Sequence, residues 1–466
     1  MAKKQLTIEE KLQAALVPVE EQPYKVPENW CWVRLGAVVG FERGITFPAA
    51  SKESVKREGN IYCVRTANIQ EELELDNGLY VDEQYMKGNH SKLVKTGDII
   101  LSSANSRELV GKSVFVRDVP FPMTFGGFVL NVRPNESINN KLVFLYLRLQ
   151  FLLGNFIVGA TQTTNIANIN TKQLGEYKVS LPPVQEQSRI VARIESLFAK
   201  LDEAKEKIQE VLDGAELRKA AILHQAFTGK LTEKWRKKRK QSFYEWKTMQ
   251  LEDCFDIIGG IQKKPSRVPD KNPIPYITVA NVYRDRIDVS ELRYFEIFDG
   301  ELEKYQLKHG DILIVEGNGS GSEIGRCAIW REELPICVYQ NHIIRARRKT
   351  DNIIPEYVLY YLNSPMGISI MQDKARTTAG LYNLSTGKIK SISIPKPPAD
   401  EQQEIICQLD KLLSHEQSTI TACESALATI DKLKKSILAR AFRGELGTND
   451  PSEASAKELL QEILAS

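Results

Sequence analysis

The feature that most constrains this chain is a run of apolar residues at alternating steps of four and three within residues 181–231. Ten positions form this heptad seam: Ile190, Ile194, Leu197, Leu201, Ala204, Ile208, Val211, Ala215, Arg218 and Ile222. Arg218 is the one polar member, and residues 188–225 contain no proline. The pattern predicts one long helix whose apolar stripe packs as core against a partner helix.

A matching helix is predicted in the same chain, at residues 397–446. Its seam residues each lie 215 positions after their counterparts, with no insertion along the helix: Ile405, Leu409, Leu412, Glu416, Thr419, Cys423, Ala426, Ile430, Leu433 and Ile437. Glu416 and Thr419 interrupt this second seam. We therefore expect weaker packing, or a surface that faces a partner, near the middle of the second helix.

The regions that precede the two helices repeat as well, at offsets of 213 to 215 residues. The aligned segments include Trp32-Val-Arg-Leu with Trp246-Lys-Thr-Met, Lys95-Thr-Gly-Asp with Lys308-His-Gly-Asp, and Asn168-Ile-Asn-Thr with Asn383-Leu-Ser-Thr. The first copy has strand-like runs at residues 61–69, 98–102, 113–117, 128–132 and 177–181, and a helical pattern at 141–158. The predicted order is therefore head, helix, head, helix, with two α/β heads of the α+β kind.

These patterns divide the chain into seven segments. We assign residues 1–26 to an N-terminal helix and linker, 27–181 to the first head, 182–231 to the first long helix, 232–245 to a basic linker, 246–396 to the second head, 397–446 to the second long helix, and 447–466 to a polar tail. The tail contains a short helical pattern at 455–464, and the N-terminal helix has Leu6, Ile8, Leu12 and Leu16 on or near one face.

The connection between the first helix and the second head decides how the two helices pack. A helix of about 40 residues is about 60 Å long, and the connection of about 18 residues after Gly229 would barely reach back along it when extended. Antiparallel packing needs no such return. We therefore predict a long antiparallel two-helix coiled coil that relates the heads by a pseudo-twofold axis. Such an arrangement suits a target with two similar but non-identical halves, of which DNA is the commonest.

Composition bounds the remaining possibilities. The chain has 466 residues and a net charge of +3, so any nucleic-acid surface must be local. No apolar run reaches the ~18–20 residues of a membrane helix, and the N-terminus lacks the apolar core of a signal peptide. Seven scattered cysteines form no CxxC pair, which predicts free thiols, no structural zinc and a cytoplasmic protein that binds no membrane.

Several motifs resemble one known family. The segments PPVQEQSRI…LFAKLD, AAILHQAFTGKLTEKWR, PPADEQQEI and SILARAFRGEL resemble the conserved helical regions of the DNA-specificity (S) subunits of type I restriction–modification enzymes. The segment VPENWCWVRLG resembles the start of a target-recognition domain of that family. The resemblance covers residues 27–446, and the twofold repeat makes it more specific than any single motif.

The resemblance implies a non-catalytic subunit whose two heads are target-recognition domains for a bipartite, asymmetric site in double-stranded DNA. It also implies partners: two adenine-N6 methyltransferase (M) subunits and, through them, ATP-driven restriction (R) subunits. S-adenosylmethionine, ATP and magnesium are then expected only on those partner subunits, and this chain is expected to hold no cofactor.

The sequence motifs of the partner chemistries are absent from this chain. An adenine methyltransferase needs (N/D)PP(Y/F), whereas the proline pairs here read Leu-Pro-Pro-Val and Lys-Pro-Pro-Ala. No GxxxxGK(S/T) phosphate loop is present, and the glycine-rich run at residues 317–325 lacks the lysine and the helix start of one. The five histidines do not reach metal-ligand spacing. We therefore predict no catalytic residues and no metal site.

The internal repeat also filters candidate DNA contacts, because residues common to both heads cannot explain different sequence preferences. Gly97-Asp98 with Gly310-Asp311, and Asn68 with Asn281, are therefore predicted to be turn and core features. Base contacts are expected in three loop pairs that differ between the heads. The candidates are Arg43, Thr46, Lys56 and Arg57 against Gln262, Lys263, Lys264 and Arg267; Asn105 and Arg107 against Asn318 and Ser320; and Gln162 against Arg376.

Two further surfaces leave alternatives open. In residues 234–240, six of seven residues are basic, which fits either a solvated linker or a salt-sensitive contact with phosphates. Glu186, Gln187, Glu401 and Gln402 occupy matching helix starts, where they either dock M subunits or cap the helix dipole. The alternative functions are a coiled-coil scaffold whose heads bind proteins and, with less support, a stand-alone enzyme.

Overall fold

The computed structural model describes residues 7–76, 78–159, 161–162, 166–240, 246–317, 323–376 and 383–465. The chain forms two compact units. Unit 1 comprises residues 1–207 and 426–466, and unit 2 comprises residues 208–425. Each unit therefore combines one head with parts of both long helical stretches. No helix among the described residues is long and apolar enough to cross a membrane.

The first half of the chain contains the elements of the first head and the first helical stretch. They are α1 (Ile8–Ala15), β1 (Cys31–Arg34), β2 (Val39–Arg43), β3 (Asn60–Val64), β4 (Tyr80–Asp82), β5 (Ile99–Ser102), β6 (Ala104–Asn105), β7 (Ser113–Phe115), β8 (Met123–Phe125), β9 (Val129–Pro134), α2 (Asn140–Leu152), α3 (Asn155–Gly159), β10 (Thr161–Gln162), β11 (Ala167–Asn168), α4 (Thr171–Gly175), β12 (Lys178–Leu181), α5 (Val184–Asp213), α6 (Ala215–Phe227) and α7 (Glu233–Arg239).

The second half repeats this order. Its elements are β13 (Lys247–Gln250), α8 (Leu251–Cys254), β14 (Phe255–Gly259), β15 (Pro273–Ile277), β16 (Val282–Tyr283), β17 (Arg286–Ile287), β18 (Arg293–Glu296), α9 (Glu301–Tyr305), β19 (Ile312–Val315), β20 (Cys327–Ile329), β21 (Val338–Tyr339), β22 (Ile343–Arg348), α10 (Pro355–Asn363), α11 (Pro365–Ala375), α12 (Thr386–Lys390), β23 (Ser393–Lys396), α13 (Ala399–Ala441) and α14 (Ala456–Ala465).

The two heads share one sheet topology. Unit 1 is centred on an antiparallel sheet of order β2-β9-β5-β7, and unit 2 on the matching sheet β14-β22-β19-β20. Every residue of β5 and of β19 is buried, as expected for apolar strands covered on both faces. A second sheet contains a parallel pair in each unit, β3 with β8 and β15 with β21. The predicted repeat of mixed α and β heads is therefore confirmed.

Strand pairing corrects one part of the predicted alignment. Cys31 lies opposite Leu181 in the β1–β12 pair, and Lys247 lies opposite Lys396 in the β13–β23 pair. Trp30, rather than Trp32, is therefore the counterpart of Trp246. The first head has a tryptophan at both position 30 and position 32, and the sequence alignment had paired Trp246 with the wrong one.

Two predicted elements in the first head are interrupted by local chemistry. The predicted strand 61–69 ends at Val64, because the buried side chain of Asn68 accepts the Arg65 N–H and donates to the Glu74 carbonyl, which closes a tight turn. The predicted helix 141–158 divides into α2 and α3 at Gly154, whose φ of 74° lies outside the helical region.

The first long helix is also divided. α5 ends at Asp213 and α6 begins at Ala215, so the prediction of one unbroken helix across Gly214 is wrong. α13 continues without a break over 43 residues. Glycine weakens a helix interior by about 1 kcal/mol relative to alanine, and the second helix has no glycine at this point.

Within unit 2 the two helical stretches run antiparallel. Arg218, early in α6, donates to Glu416 over 3.1 and 3.2 Å, whereas Arg236 in α7 pairs with Glu401 at the start of α13. Two of the polar exceptions in the predicted seams, Arg218 and Glu416, thus pair with each other, whereas Thr419 donates to the His415 carbonyl of its own helix. No residue of α13 between Leu409 and Ile430 is buried, so the expectation of weaker packing near the middle of this helix is confirmed. Within unit 1, Asp202 of α5 pairs with Lys434 near the end of α13.

Burial along the predicted seams is uneven. Ile190, Ile194 and Leu409 are fully buried, but Val211 is 38% exposed and Leu433 is 45% exposed. The prediction that all apolar seam residues form core is therefore wrong for Val211 and Leu433. A two-helix contact covers only a narrow stripe of each helix, which leaves part of the seam accessible.

The segments that follow the two helical stretches are structured. The predicted basic linker at residues 232–245 contains helix α7, whose Arg236 is buried. The predicted C-terminal helix is α14, and it packs against α1 in unit 1, where Leu459 and Leu460 are buried. Lys11 also donates to the Leu464 carbonyl over 3.0 Å. The tail therefore belongs to the core of unit 1.

Candidate nucleic-acid interface

A main-chain framework in unit 1 brings parts of the predicted loops together around the turn between β8 and β9. The N–H of Ile45 donates to Phe125, and that of Ser103 donates to Phe128, over 2.8 and 3.0 Å. A Cβ atom at Gly44 would lie 2.1 Å from the Gly126 carbonyl oxygen. Only glycine therefore allows the chain after β2 to lie against this turn.

Unit 2 contains the corresponding main-chain hydrogen bonds. Ile261 N–H donates to Tyr339 over 2.9 Å, and Glu316 N–H donates to His342 over 3.0 Å. A Cβ atom at Gly260 would lie 2.3 Å from the Gln340 carbonyl oxygen. The backbone at this place is therefore the same in both units.

The side chains carried by this framework differ between the units. Cluster A, in unit 1, consists of Arg43, Thr46, Ser103, Gly127 and Phe128. Cluster B, at the corresponding positions of unit 2, consists of Gly259, Gln262, Glu316, Asn341 and His342. A constant backbone with exchanged side chains is the arrangement that two readers of different sequences require.

Cluster A borders a cavity of about 280 Å³ lined by Arg43, Ser103, Ala104, Gly127, Phe128, Asn168, Ile169 and Asn170. Phe128 is 67% exposed, and Arg43 is exposed as well. Lys92 donates to the Arg43 carbonyl over 2.5 Å and also to the Glu42 carboxylate, where its hydrogen bond lowers the pKa of Glu42. The main chain is thus fixed while cationic, aromatic and amide groups remain accessible.

Cluster B carries a carboxylate, amides and an imidazole instead. The Nδ1 atom of His342 lies 3.5 Å from Glu316 Oε2, and its Nε2 atom lies 3.5 Å from Asn341 Nδ2. The His342 side chain is 61% exposed, whereas that of Glu316 is 25% exposed. Gln262 is also exposed. This surface offers both donors and acceptors to a ligand.

The other predicted residues of unit 1 lie in three places. Asn105 belongs to β6, where it donates to Ser102 Oγ over 3.1 Å, and Arg107 follows on an exposed turn. Lys56 and Arg57 are exposed, but Arg57 lines a separate cavity of about 410 Å³ that also contains acidic side chains, with Glu53 3.5 Å away. Gln162 pairs through its backbone in β10, and its side chain lies outside the described residues.

The predicted residues of unit 2 also divide. Lys263 and Lys264 are exposed after β14, and Arg376 is exposed after α11. Arg267 makes a bidentate ion pair with Glu301 at 2.9 and 2.7 Å, and this hydrogen bonding raises the pKa of Arg267. Its guanidinium is thus already occupied within the unit. Asn318 and Ser320 lie outside the described residues.

Sequence reasoning included Ser103 only within the loop 102–107, and it missed Glu316, Gly127, Asn341, Phe128 and His342. The available signal was the repeat itself: at an offset of 214, residues 126–128 align with 340–342, each group precedes an apolar segment, and the residues differ between the heads. The predicted loops were chosen for arginine, lysine and amide content, which overlooks an exposed phenylalanine.

The residues common to both heads are structural, as predicted. Asp98 and Asp311 are buried, and they accept hydrogen bonds from Arg133 Nε over 2.8 Å and Arg347 Nε over 2.7 Å. These hydrogen bonds raise the pKa of both arginines. Asn68 and Asn281 are likewise buried.

The residues at the helix starts, for which partner docking and helix capping were the two alternatives, are interior groups. Glu186, Gln187, Glu401 and Gln402 are each at most 1% exposed. Gln187 accepts the Asn139 N–H over 2.8 Å, and Gln402 accepts the Ile354 N–H over 2.9 Å. These side chains join each head to its helix, so they cannot form a docking surface.

Helix α7 presents a basic surface on unit 2. Arg236 is buried, and the Arg239 guanidinium lies 4.4 Å from the centroid of the Trp235 ring. Lys234, Lys237 and Lys238 are exposed. Lys237 pairs with Glu233 one turn earlier, over 2.5 Å.

The described residues contain no cluster of three metal-ligating side chains.

Comparisons with known proteins agree with this picture. The family described as the type I restriction modification DNA specificity domain matches residues 27–213 and 244–423. The EcoKI specificity subunit of Escherichia coli K12 is 28% identical, with 95% of this chain and 96% of the relative covered. The StySPI specificity subunit of Salmonella potsdam is 26% identical, with 91% of this chain and 90% of the relative covered.

Two solved structures share the fold. One chain, described under complex assembly and conformational transition of the type I R-M system, has a TM-score of 0.65 at 20% identity, covering 91% of this chain and all (100%) of that chain. The HsdS subunit from Thermoanaerobacter tengcongensis has a TM-score of 0.59 at 21% identity, covering 92% of this chain and all (100%) of that chain.

Proposed function

We propose the detailed function of this chain from one premise: the chain belongs to the type I restriction–modification DNA specificity family. Specificity subunits are DNA-recognition subunits that carry out no catalysis themselves, and this chain is one of them. The proposal concerns how the chain recognises DNA and what it assembles.

Each unit reads one half of a bipartite, asymmetric site in double-stranded DNA. The observation that carries this proposal is the repeated framework with its two different side-chain clusters. Shared backbone bonds present both clusters in the same way, while Arg43 and Phe128 in one unit give way to Gly259 and His342 in the other. Direct readout depends on such outward side chains, since phosphate contacts carry no base identity.

The remaining predicted contacts belong to the same proposal. Arg43, Thr46, Asn105 and Arg107 serve the half-site of unit 1, and Gln262, Lys263, Lys264 and Arg376 serve that of unit 2. Lys56 and Arg57 stay as candidate base contacts that lie apart from cluster A. Gln162, Asn318 and Ser320 stay as candidates from the sequence alone. Arg267 is omitted because Glu301 occupies its guanidinium.

The long helical stretches set the distance between the half-sites. Antiparallel contacts inside each unit, such as Arg218 with Glu416, support a two-helix coiled coil with a pseudo-twofold relation between the heads. Inserting whole helical turns into both stretches then changes the length of the unread spacer and leaves both half-sites unchanged.

The partners are two methyltransferase subunits and, through them, restriction subunits. The solved relative described under assembly of the type I R-M system supports this part. Methyl transfer, ATP use and magnesium binding then occur on those partners, with no cofactor on this chain. The exposed parts of the helical seams, including Val211 and Leu433, are available for such subunits.

Methylation mapping tests the proposal. The full chain is expressed with its methyltransferase subunit, and methylated adenines are mapped over a genome with and without this chain. We expect a gapped, asymmetric motif that appears only when the chain is present. A continuous motif would contradict the bipartite site, and methylation independent of the chain would contradict its role in recognition. If the heads bound proteins while the choice of DNA sequence did not depend on them, the result would favour the alternative function, a coiled-coil scaffold that binds proteins.

A further inference from the structure

We propose that the turn pairs Gly127-Phe128 in unit 1 and Asn341-His342 in unit 2 are specificity-determining residues that contact base edges. This inference rests on the proposed function and deepens it, because it assigns the choice of bases in each half-site to two aligned positions. Five positions differ between clusters A and B. The two turn positions are chosen because their backbone is fixed, their side chains are exchanged between the units, and Phe128 and His342 are exposed.

The backbone of the turn is fixed independently of these side chains. Gly126 N–H donates to Val64 over 2.9 Å in unit 1, and Gln340 N–H donates to Ile277 over 3.0 Å in unit 2. A hydrogen bond closes each turn: Val129 N–H donates to Gly126 over 2.8 Å, and Ile343 N–H donates to Gln340 over 2.9 Å. Exchanging the outward side chains therefore leaves the framework intact.

Phe128 and His342 are exposed, unlike the residues that precede the turns. Phe125 and Tyr339, which precede the turns, are fully buried. Phe128 is 67% exposed and so gains little from burial within unit 1, although a phenylalanine side chain gains about 1.5–3 kcal/mol when fully buried. The Phe128 ring lines the same cavity as Arg43 and two asparagines, which are side chains that can contact base edges.

The chemistry of the two pairs predicts different readouts. A phenylalanine ring contacts the methyl group of thymine, whereas an asparagine amide pairs with adenine N6 and N7. In unit 2, Glu316 adds an acceptor suited to cytosine N4 next to the His342 ring. In unit 1, the aligned Ser103 carries no charge, and Arg43 adds donors suited to guanine. Reciprocal exchange of the turn pairs should therefore exchange preferences.

Steric room exists for the exchange in unit 1. A Cβ atom at Gly127 would meet the Ile45 carbonyl oxygen at 3.4 Å and Thr46 Oγ1 at 3.5 Å, which are ordinary contacts or nearly so. The framework of unit 2 already holds asparagine at the aligned position. The variant G127N/F128H and its reciprocal N341G/H342F are thus compatible with the same main chain.

The experiment selects duplexes with the full chain bound to its methyltransferase subunits. The library is randomised over about 20 base pairs, which is two helical turns. We expect G127N/F128H to change base preference in one half-site and N341G/H342F to change it in the other. Discrimination at an affected position should shift by about 5- to 100-fold. The control V19H/I8N, which alters two exposed apolar residues of unit 1 outside the candidate contact loops, should change neither half-site.

Each outcome decides between the inference and the proposed function. If wild type selects no gapped motif, the proposed function fails. If wild type selects a gapped motif and the turn variants leave both half-sites unchanged, the inference alone fails. A uniform loss of affinity without altered preference also overturns it. The untouched half-site reports in the same measurement that the complex still binds DNA, and the milder variant F128A should lose preference at one base pair without altering the other half.

Discussion

The indole nitrogen of Trp30 donates a hydrogen bond of 2.7 Å to Glu186, a fully buried carboxylate at the start of α5. In unit 2, Trp246 donates over the same 2.7 Å to Glu401 at the start of α13. The other hydrogen-bond donors to the two carboxylates differ between the units. Thr448 and Asn449 donate to Glu186, whereas Glu401 also receives Thr232 and the charged Arg236. The shared bond holds each head on its helix.

These partners predict unequal effects of the same substitution. Glu401→Gln removes the carboxylate charge that pairs with the buried Arg236, and breaking a buried ion pair costs about 3–5 kcal/mol. Glu186→Gln keeps one carbonyl acceptor among neutral donors and should cost about 1–2 kcal/mol. The free energy of unfolding measures both losses, and hydrogen exchange in β13 and β23 should rise only for Glu401→Gln. Equal losses would mean that Arg236 does not depend on Glu401.

Gly44 and Gly260 predict unit-specific defects. A Cβ atom at Gly44 would lie 2.1 Å from a carbonyl oxygen of the facing turn, and one at Gly260 would lie 2.3 Å from its counterpart. Gly44→Ala must push the strand away from that turn, at a cost of about 1–3 kcal/mol.

We expect Gly44→Ala to weaken selection of one half-site and Gly260→Ala to weaken the other, measured by enrichment from a randomised duplex library. Gly40→Ala is the matched control in β2, because its Cβ would meet only the Arg133 carbonyl oxygen, at 3.7 Å. If a Gly44 variant selected the same duplexes as wild type, this turn would not take part in DNA recognition.

Local patterns in the sequence were enough for the second long helix, the repeat and the shared buried acids, but not for the break in the first long helix at Gly214. Heptad spacing is a property of neighbouring residues, and the repeat at offsets of 213 to 215 places Asp98 and Asp311 at equal positions without any coordinates. The antiparallel direction also followed, because it depends on chain length alone. These features need no knowledge of which distant residues meet.

The features that escaped prediction depend on distant contacts. Glu186 reads as a helix-start acid, but its burial depends on Thr448, which lies 262 residues away. Arg218 and Glu416 read as two defects until their 3.1 Å pairing is seen. The turn at residues 126–128 contains glycines and a phenylalanine, and only the structure shows that this turn and residues 340–342 lie against the chain after β2 and β14. Composition alone could not rank it among the loops.

Buried thiols predict a loss of stability at alkaline pH. Burial raises the pKa of the Cys63 thiol from 9.0 to about 12. Its contribution to stability is therefore complete below about pH 9 and is lost as the pH rises towards 12, because the unfolded thiol ionises first.

Cys63→Ala should flatten the fall of unfolding free energy in that window by up to about 1.4 kcal/mol per pH unit. Cys407→Ala removes an exposed thiol and serves as the control that should leave the slope unchanged. Equal slopes for both variants and wild type would show that Cys63 ionises as readily in the folded state as in the unfolded one.

The basic face of α7 predicts a salt-sensitive contribution to DNA binding that carries no base preference. Lys234 and Lys238 are exposed on a helix whose buried Arg236 is fixed by Glu401 and Thr232. The matching segment of unit 1, after α13, instead carries Asp450 and Glu453. We therefore expect phosphate contacts here on the unit 2 side only.

In the full complex, Lys234→Gln with Lys238→Gln should reduce the slope of log binding constant against log salt by about 0.9 for each lost contact. The selected motif should remain unchanged, because phosphates carry no base identity. Lys271→Gln with Lys308→Gln alters two exposed lysines of unit 2 by the same charge and should leave the slope as in wild type. If the slope is unchanged but the methyltransferase subunits bind more weakly, α7 contacts protein and not DNA.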